Sequence, residues 1–426
     1  MTFRKFLFWL HLIAGLISGV SIGIMCFTGT TLAFEKELIA WSQRDARQIA
    51  TPAPGTPRLT LDQMQAKLRA AQPEARPASI VLQNDATAAV AFTTGRSGGF
   101  YVNPYTGEVR QPQSAAMGDF MHEMTDWHRF LGFHGEASRP RGKLINGVCN
   151  LAFCVLALTG LYLWMPRQWS WRALKPVIWF RQNGTSKARD FNWHNVIGFW
   201  SAPILIVLTL TAIPISFRWG GTLIYTLTGT EAPAAGGGGG PGGGGTFAAG
   251  PAVEVPPPTP EAKTLAQDAL VAAVQKQVPA WKTITLRIAG AGGPGSGGRG
   301  GGSAGVPPAL SQGAQESRPR APAAPATPPA VTFTVGESTS WPRTANTTLA
   351  VNPYTGDILK RTGYADQNAA QRVRSWTRFL HTGEAIGPVG QFLAGLACLG
   401  GVFLVYTGFA LSWRRFFGRK TSAPPA

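Results

Sequence analysis

The residues of this chain whose type and placement point most directly to chemistry are its six histidines: His11, His122, His128, His134, His194 and His381. Each sits at or just before one of four long apolar blocks. Imidazoles on facing helices are a common means of gripping a haem iron inside a helical bundle. Two axial imidazoles leave no open iron position, which suits electron transfer rather than oxygen binding. Other roles draw on the same side chain. An interfacial histidine keeps its apolar body in lipid and its polar tip among headgroups. An intramembrane histidine can relay protons. A zinc-type site needs further carboxylates or thiolates. No such cluster at ligand spacing accompanies these histidines, and His122, six residues before His128, is the extra ligand if one exists.

The elements that must position them are the apolar blocks: residues 7–34, 144–165, 193–217 and 389–413. None has Lys, Arg, Asp or Glu in its interior, and each is long enough to cross ~30 Å of hydrocarbon as a helix. The first follows Arg4 and Lys5 but is too long for a signal-peptide core. Glu35-Lys36-Glu37 after it is not a small-residue cleavage site, so it reads as a retained anchor. Orientation follows the basic residues near span ends. They cluster in segment 1–6, in loop 166–192 (Arg167, Arg172, Lys175, Arg181, Lys187, Arg189) and in tail 414–426 (Arg414, Arg415, Arg419, Lys420). These three segments are expected in the cytoplasm, with 35–143 and 218–388 outside it. Trp164, Trp169, Trp171, Trp179 and Trp413 suit an interfacial belt. The net charge of +18 is explained by this topology rather than by nucleic-acid binding. Cys26, Cys149, Cys154 and Cys398 lie inside apolar blocks and form no disulfide or zinc framework.

Topology sorts the histidines into two levels. His11 and His194 open spans at the cytoplasmic face. His128 or His134 precedes the second span, and His381 the fourth, at the outer face. Gly15, Gly19, Gly198 and Ser201 are small enough to let a flat group approach the helix backbones. No CxxCH is present, so a haem held here is b-type.

The chain also repeats itself. Val102-Asn-Pro-Tyr-Thr-Gly-Glu-Val109 recurs as Val351-Asn-Pro-Tyr-Thr-Gly-Asp-Ile358, each reading as strand, tight turn, strand. An amphipathic helix at 60–73 and another at 264–279 precede short strand-like runs. The expected architecture is therefore a four-helix membrane bundle carrying two duplicated α+β lobes on one side. Residues 234–249 and 289–329 are Gly- and Pro-rich insertions in the second lobe and read as flexible linkers.

On these motifs the chain resembles the PepSY-associated transmembrane helix family, also called iron-regulated or PiuB-like membrane proteins. The matching stretches are the NPYTGE and NPYTGD turns, DWHRFLG at 126–132, LTGLYLWMPR at 158–167, WRALKPVIWF at 171–180, RDFNWHNVIGFWSAP at 189–203 and LHTGEAIG at 380–387. The resemblance implies a bacterial inner-membrane protein with periplasmic PepSY lobes. Some members are ferric-siderophore reductases holding haem. Carried onto this chain, it implies two b haems, one on His11 and His194, the other on His128 and His381, with His134 ranked below His128. The acceptor implied is a ferric siderophore or another ferric chelate, with Trp127, Arg129, Trp376 and Arg378 near its docking surface. No GxGxxG follows a strand, so the donor is expected to be a separate quinol, flavoprotein or soluble reductase. A haem-free PepSY regulator and an accessory subunit for metal transport are the alternatives, and a homodimer stays open.

Overall fold

The structure, a computed structural model, describes residues 2–94, 98–166, 168–182, 184–232, 253–259, 261–288 and 329–418. The insertion at 234–249, all of the insertion at 289–329 except Pro329, and the basic residues Arg167, Arg419 and Lys420 lie outside the described residues.

The chain opens with α1 (Phe3–Leu32), followed by α2 (Glu35–Ser42), α3 (Arg44–Arg47) and α4 (Leu61–Ala71). Strands β1 (Ser79–Gln83), β2 (Val90–Thr93), β3 (Gly99–Val102) and β4 (Val109–Arg110) come next, then α5 (Ala116–Phe130) and α6 (Arg139–Trp164). Helices α7 (Trp171–Ile178), α8 (Ser186–Ser216), α9 (Arg218–Leu227) and α10 (Gln267–Gln277) lead to β5 (Trp281–Arg287), β6 (Val331–Glu337), β7 (Asn346–Val351) and β8 (Ile358–Thr362). The described chain closes with α11 (Ala369–His381) and α12 (Pro388–Phe417).

Four of these helices, α1, α6, α8 and α12, are long and apolar enough to cross a membrane. Each corresponds to one expected block and extends past it at one end or both. Their outward faces stay uncovered by protein: Ile17 is 81% exposed and Val20 66%, which places lipid rather than water beside them. Trp169, Trp171, Trp179 and Trp413 are exposed as well, as an interfacial belt requires. In the bundle, α1 and α8 are not neighbours; each packs against both α6 and α12. Small residues let the spans approach. A Cβ on Gly19 of α1 would lie 2.8 Å from the Phe409 ring of α12. Helix α5 packs on α1 and α6, and α11 packs on α8 and α9.

Outside the bundle stands one antiparallel sheet of eight strands, in the order β4-β3-β2-β1-β5-β6-β7-β8. This corrects the expectation of two separate lobes. Strand β1 pairs with β5 over Ser79↔Arg287 to Gln83↔Thr283, joining the two halves at the centre. Both halves also share one core. Leu61, Met64 and Leu68 of α4 and Leu270, Val271 and Val274 of α10 cover the same sheet face, with Ile80, Phe92, Ile284, Phe333 and Leu349 beneath them. The two helices touch through Leu61 N donating to Asp268 Oδ2 at 2.8 Å and Gln65 Nε2 donating to Gln267 Oε1 at 2.7 Å. The physical reason is the edge. A four-stranded half alone leaves β1 with a row of unpaired N–H and C=O groups, and joining the halves satisfies them while enlarging a small core.

The repeated turns have matching local geometry. Asn103 Oδ1 accepts from Tyr105 N at 2.9 Å, and Asn352 Oδ1 accepts from Tyr354 N at 2.8 Å. Gly107 and Gly356 follow with φ of 77° and 79°, the left-handed region that glycine enters without strain.

Candidate functional site

The histidines in the bundle form two facing pairs. His11 lies on α1 and His194 on α8, the two spans that do not pack together directly. Their ring centroids are 6.4 Å apart at an interplanar angle of 84°. At the end nearer the sheet, His128 lies in the last turn of α5 and His381 ends α11, with centroids 6.2 Å apart at 52°.

Each ring is held from behind by a threonine on a different span. His11 Nδ1 is 3.0 Å from Thr159 Oγ1 of α6, and His194 Nδ1 is 2.9 Å from Thr407 Oγ1 of α12. His128 Nδ1 is 2.9 Å from Thr28 Oγ1 of α1. His381 Nδ1 is 3.4 Å from Thr211 Oγ1 of α8 and 3.0 Å from the carbonyl oxygen of Leu208. The levels are regularly spaced: seventeen residues separate His11 from Thr28 and His194 from Thr211, about 25 Å of helical rise.

The residue after each threonine is minimal. Cβ atoms on Gly160, Gly29 and Gly408 would lie 3.1, 3.4 and 3.7 Å from Cε1 of His11, His128 and His194. At the fourth position Ala212 follows Thr211. A larger side chain at Gly160 or Gly29 would push the imidazole out of place. Burial and the facing His381 hold the His128 imidazole down at about 4, and burial lowers His381 as well. Both rings are therefore neutral near pH 7, as metal ligation requires.

A buried carboxylate stands close in sequence to one histidine of each pair. Asp126, two residues before His128, accepts from Arg139 Nη2 at 2.6 Å, tying α5 to α6. Asp190, four residues before His194, pairs with Arg189 and with Arg414, tying the start of α8 to the end of α12. Such pairs set register more than they add net stability.

Sequence reasoning leaves His128 and His134 unresolved as partners of His381. The structure brings His128 against it. Helix α5 stops at Leu131 in the left-handed conformation, φ 54°, so His134 falls in the loop beyond. There its side chain is 58% exposed, 3.6 Å from Glu123 and 3.8 Å from Asp126. His122 is exposed too. Among the described residues no group of three or more His, Cys, Asp or Glu gathers to hold a metal ion.

Trp127 and Arg129 flank His128 on α5, and Trp376 and Arg378 lie on α11 ahead of His381. Trp127 Nε1 donates to Glu123 at 2.8 Å and Trp376 Nε1 donates to the Tyr364 hydroxyl at 2.6 Å. The Arg129 guanidinium lies 5.2 Å above the Phe130 ring. The four threonines are what sequence reasoning missed. Their signal is a Thr-Gly dipeptide in three apolar blocks and Thr-Ala in the remaining one.

What the arrangement offers chemically is two separated pairs of imidazoles, each ring braced at one nitrogen, inside an apolar bundle beneath a sheet domain. No curated protein matches the chain. The profile of the PepSY-associated TM region family matches residues 8–415, nearly its whole length, and the chain belongs to that family.

Proposed function

We propose that the two histidine pairs hold two b-type haems, and that the protein carries single electrons across a bacterial inner membrane to a ferric complex. The observation that carries this reading is the spacing of the facing rings, 6.4 Å and 6.2 Å between centroids. Two imidazole–metal bonds of about 2 Å each, plus the two half-rings, span about 6 Å. Haem held there would supply one-electron chemistry. The chain does the rest. His11, His194, His128 and His381 are the ligands, the threonines orient them, the glycines make room, and the spans exclude water.

In this reading the basic segments are cytoplasmic and the sheet domain periplasmic, its two halves related by duplication. The acceptor is a ferric siderophore or another ferric chelate, approaching between the sheet and the His128–His381 pair. Arg129 and Arg378 supply positive charge for an anionic chelate. The substrate Fe(III) gains one electron, and the Fe(II) formed is held less tightly by hard oxygen donors. The donor is a separate quinol or cytoplasmic reductase at the His11–His194 end. The activity is that of a transmembrane ferric reductase.

A second reading has its own support. The family match and the absence of any three-residue metal cluster among the described residues fit a haem-free PepSY membrane protein with a regulatory or binding role, or an accessory subunit for metal transport. An absorption spectrum of the purified protein, air-oxidised and then dithionite-reduced, separates the two. About two low-spin b haems per chain support electron transfer. A haem-free spectrum after expression with ample haem overturns it in favour of the second reading.

A further inference from the structure

We infer that Thr28, Thr159, Thr211 and Thr407 are positioning residues that keep the imidazole proton on Nδ1 of all four histidines and leave every Nε2 bare. The deduction is one of hydrogen-bond accounting. A threonine hydroxyl has one proton to donate. In each of the four it goes to the carbonyl one turn back in the same helix: Ile24, Val155 and Val207 at 2.7 Å, and Phe403 at 2.8 Å. The hydroxyl therefore meets the histidine with its lone pairs, and only an Nδ1–H completes the contact. The other tautomer would set two lone pairs against each other inside an apolar bundle.

An independent contact gives the same answer at the fourth ring. His381 Nδ1 is 3.0 Å from the carbonyl oxygen of Leu208, and a carbonyl only accepts. Four spans supply four such clamps, one apiece. A hydroxyl already donating to a carbonyl is also a better acceptor, so each relay draws the Nδ1 proton outward and makes Nε2 more basic. The clamps are not equal. At His381 the carbonyl is nearer than Thr211, so that ring keeps its proton position without the hydroxyl.

The tautomer stands on these contacts alone, whereas its consequence for a bound metal rests on the haem reading above. The test is nitrogen NMR of the full-length chain, labelled with ¹⁵N-histidine and prepared without haem, in wild type and in Thr159→Val, Thr159→Ser and Thr211→Val forms. The Nδ1–H form is expected for all four paired rings of the wild type. Thr159→Val should move His11 partly or wholly to Nε2–H, Thr159→Ser should restore it, and Thr211→Val should leave His381 unchanged. An Nε2–H form of His11 in the wild type, or an unchanged His11 in Thr159→Val, overturns the proposal. In haem-loaded protein the Thr159→Val form should show a raised midpoint potential, recovered by Thr159→Ser; no shift would overturn the relay to the metal. Should the wild type take up no haem, the haem reading fails while the NMR result still decides the clamps.

Discussion

His11 and His194 lie within helices that themselves cross the membrane, whereas His128 and His381 lie at the ends of α5 and α11, short helices that reach back from the sheet domain. The first pair is placed by the packing of α1 and α8 against α6 and α12. The second depends on two further packings, α5 on α1 and α6, and α11 on α8 and α9. Chain connectivity adds to this, since α5 follows β4 and α11 follows β8, the two outermost strands. Geometry at one level is thus a property of the bundle, and geometry at the other is shared between bundle and sheet. The sheet domain is therefore expected to bias the His128–His381 pair and to leave the His11–His194 pair alone.

The strongest way to test that comparison is to delete one proposed ligand from each level. On the proposed haem reading, His194→Ala and His381→Ala should each lower the haem-to-protein ratio from about two to about one, counted by pyridine haemochrome. The spectrum lost should differ between them, because the ring angles differ, 84° against 52°. Loss of both haems in either variant would show that the levels are not independent. Next in size is damage to the shared core. Phe333 is fully buried between sheet and helices, and Phe333→Ala should destabilise the sheet domain by about 3–5 kcal/mol. Thermal unfolding should record the loss. On the haem reading, paramagnetic resonance of the oxidised protein should show broadening at the His128–His381 level and an unchanged His11–His194 signal.

A smaller effect is expected from Arg139→Ala, which strips the nearest partner from the buried carboxylate of Asp126. With Arg139 itself partly exposed, the cost should be about 1–3 kcal/mol. It should disturb the outer pair, because Asn146 Nδ2 of α6 donates to the His128 carbonyl at 2.9 Å and so joins the same contact. Smallest are the two turns. Asn103→Ala and Asn352→Ala should each cost about 1 kcal/mol. Melting curves should show equal effects, because both report on a single sheet.

Much of this was legible in the amino-acid sequence, for local reasons. Long uncharged runs can be satisfied in few ways, so the four spans stand out. The Asn-Pro-Tyr-Thr-Gly turns announce themselves because their chemistry lies within a few consecutive residues. Histidines beside apolar blocks are rare enough that their pairing by level follows from topology. What escaped was non-local. Pairing of β1 with β5 joins residues about two hundred positions apart, and no periodicity says which edge meets which. The choice between His128 and His134 turned on where α5 stops, and Leu131 in a left-handed conformation leaves no mark in the residue pattern. The threonine clamps escaped because a hydroxyl bonded to its own helix is unremarkable inside a span until the ring opposite is seen.

The pairing of β1 with β5 has a consequence for biogenesis. Strand β1 is made before α6 and α8, and β5 only after both. The centre of the sheet can close only if those two helices are inserted as a pair and return the chain to the side where β1 waits. Until then β1 is an open edge beside a half-built core. Completion of the sheet thus depends on membrane insertion: a chain that fails to thread α8 leaves β5 on the far side of the bilayer from β1, and its first half unsealed.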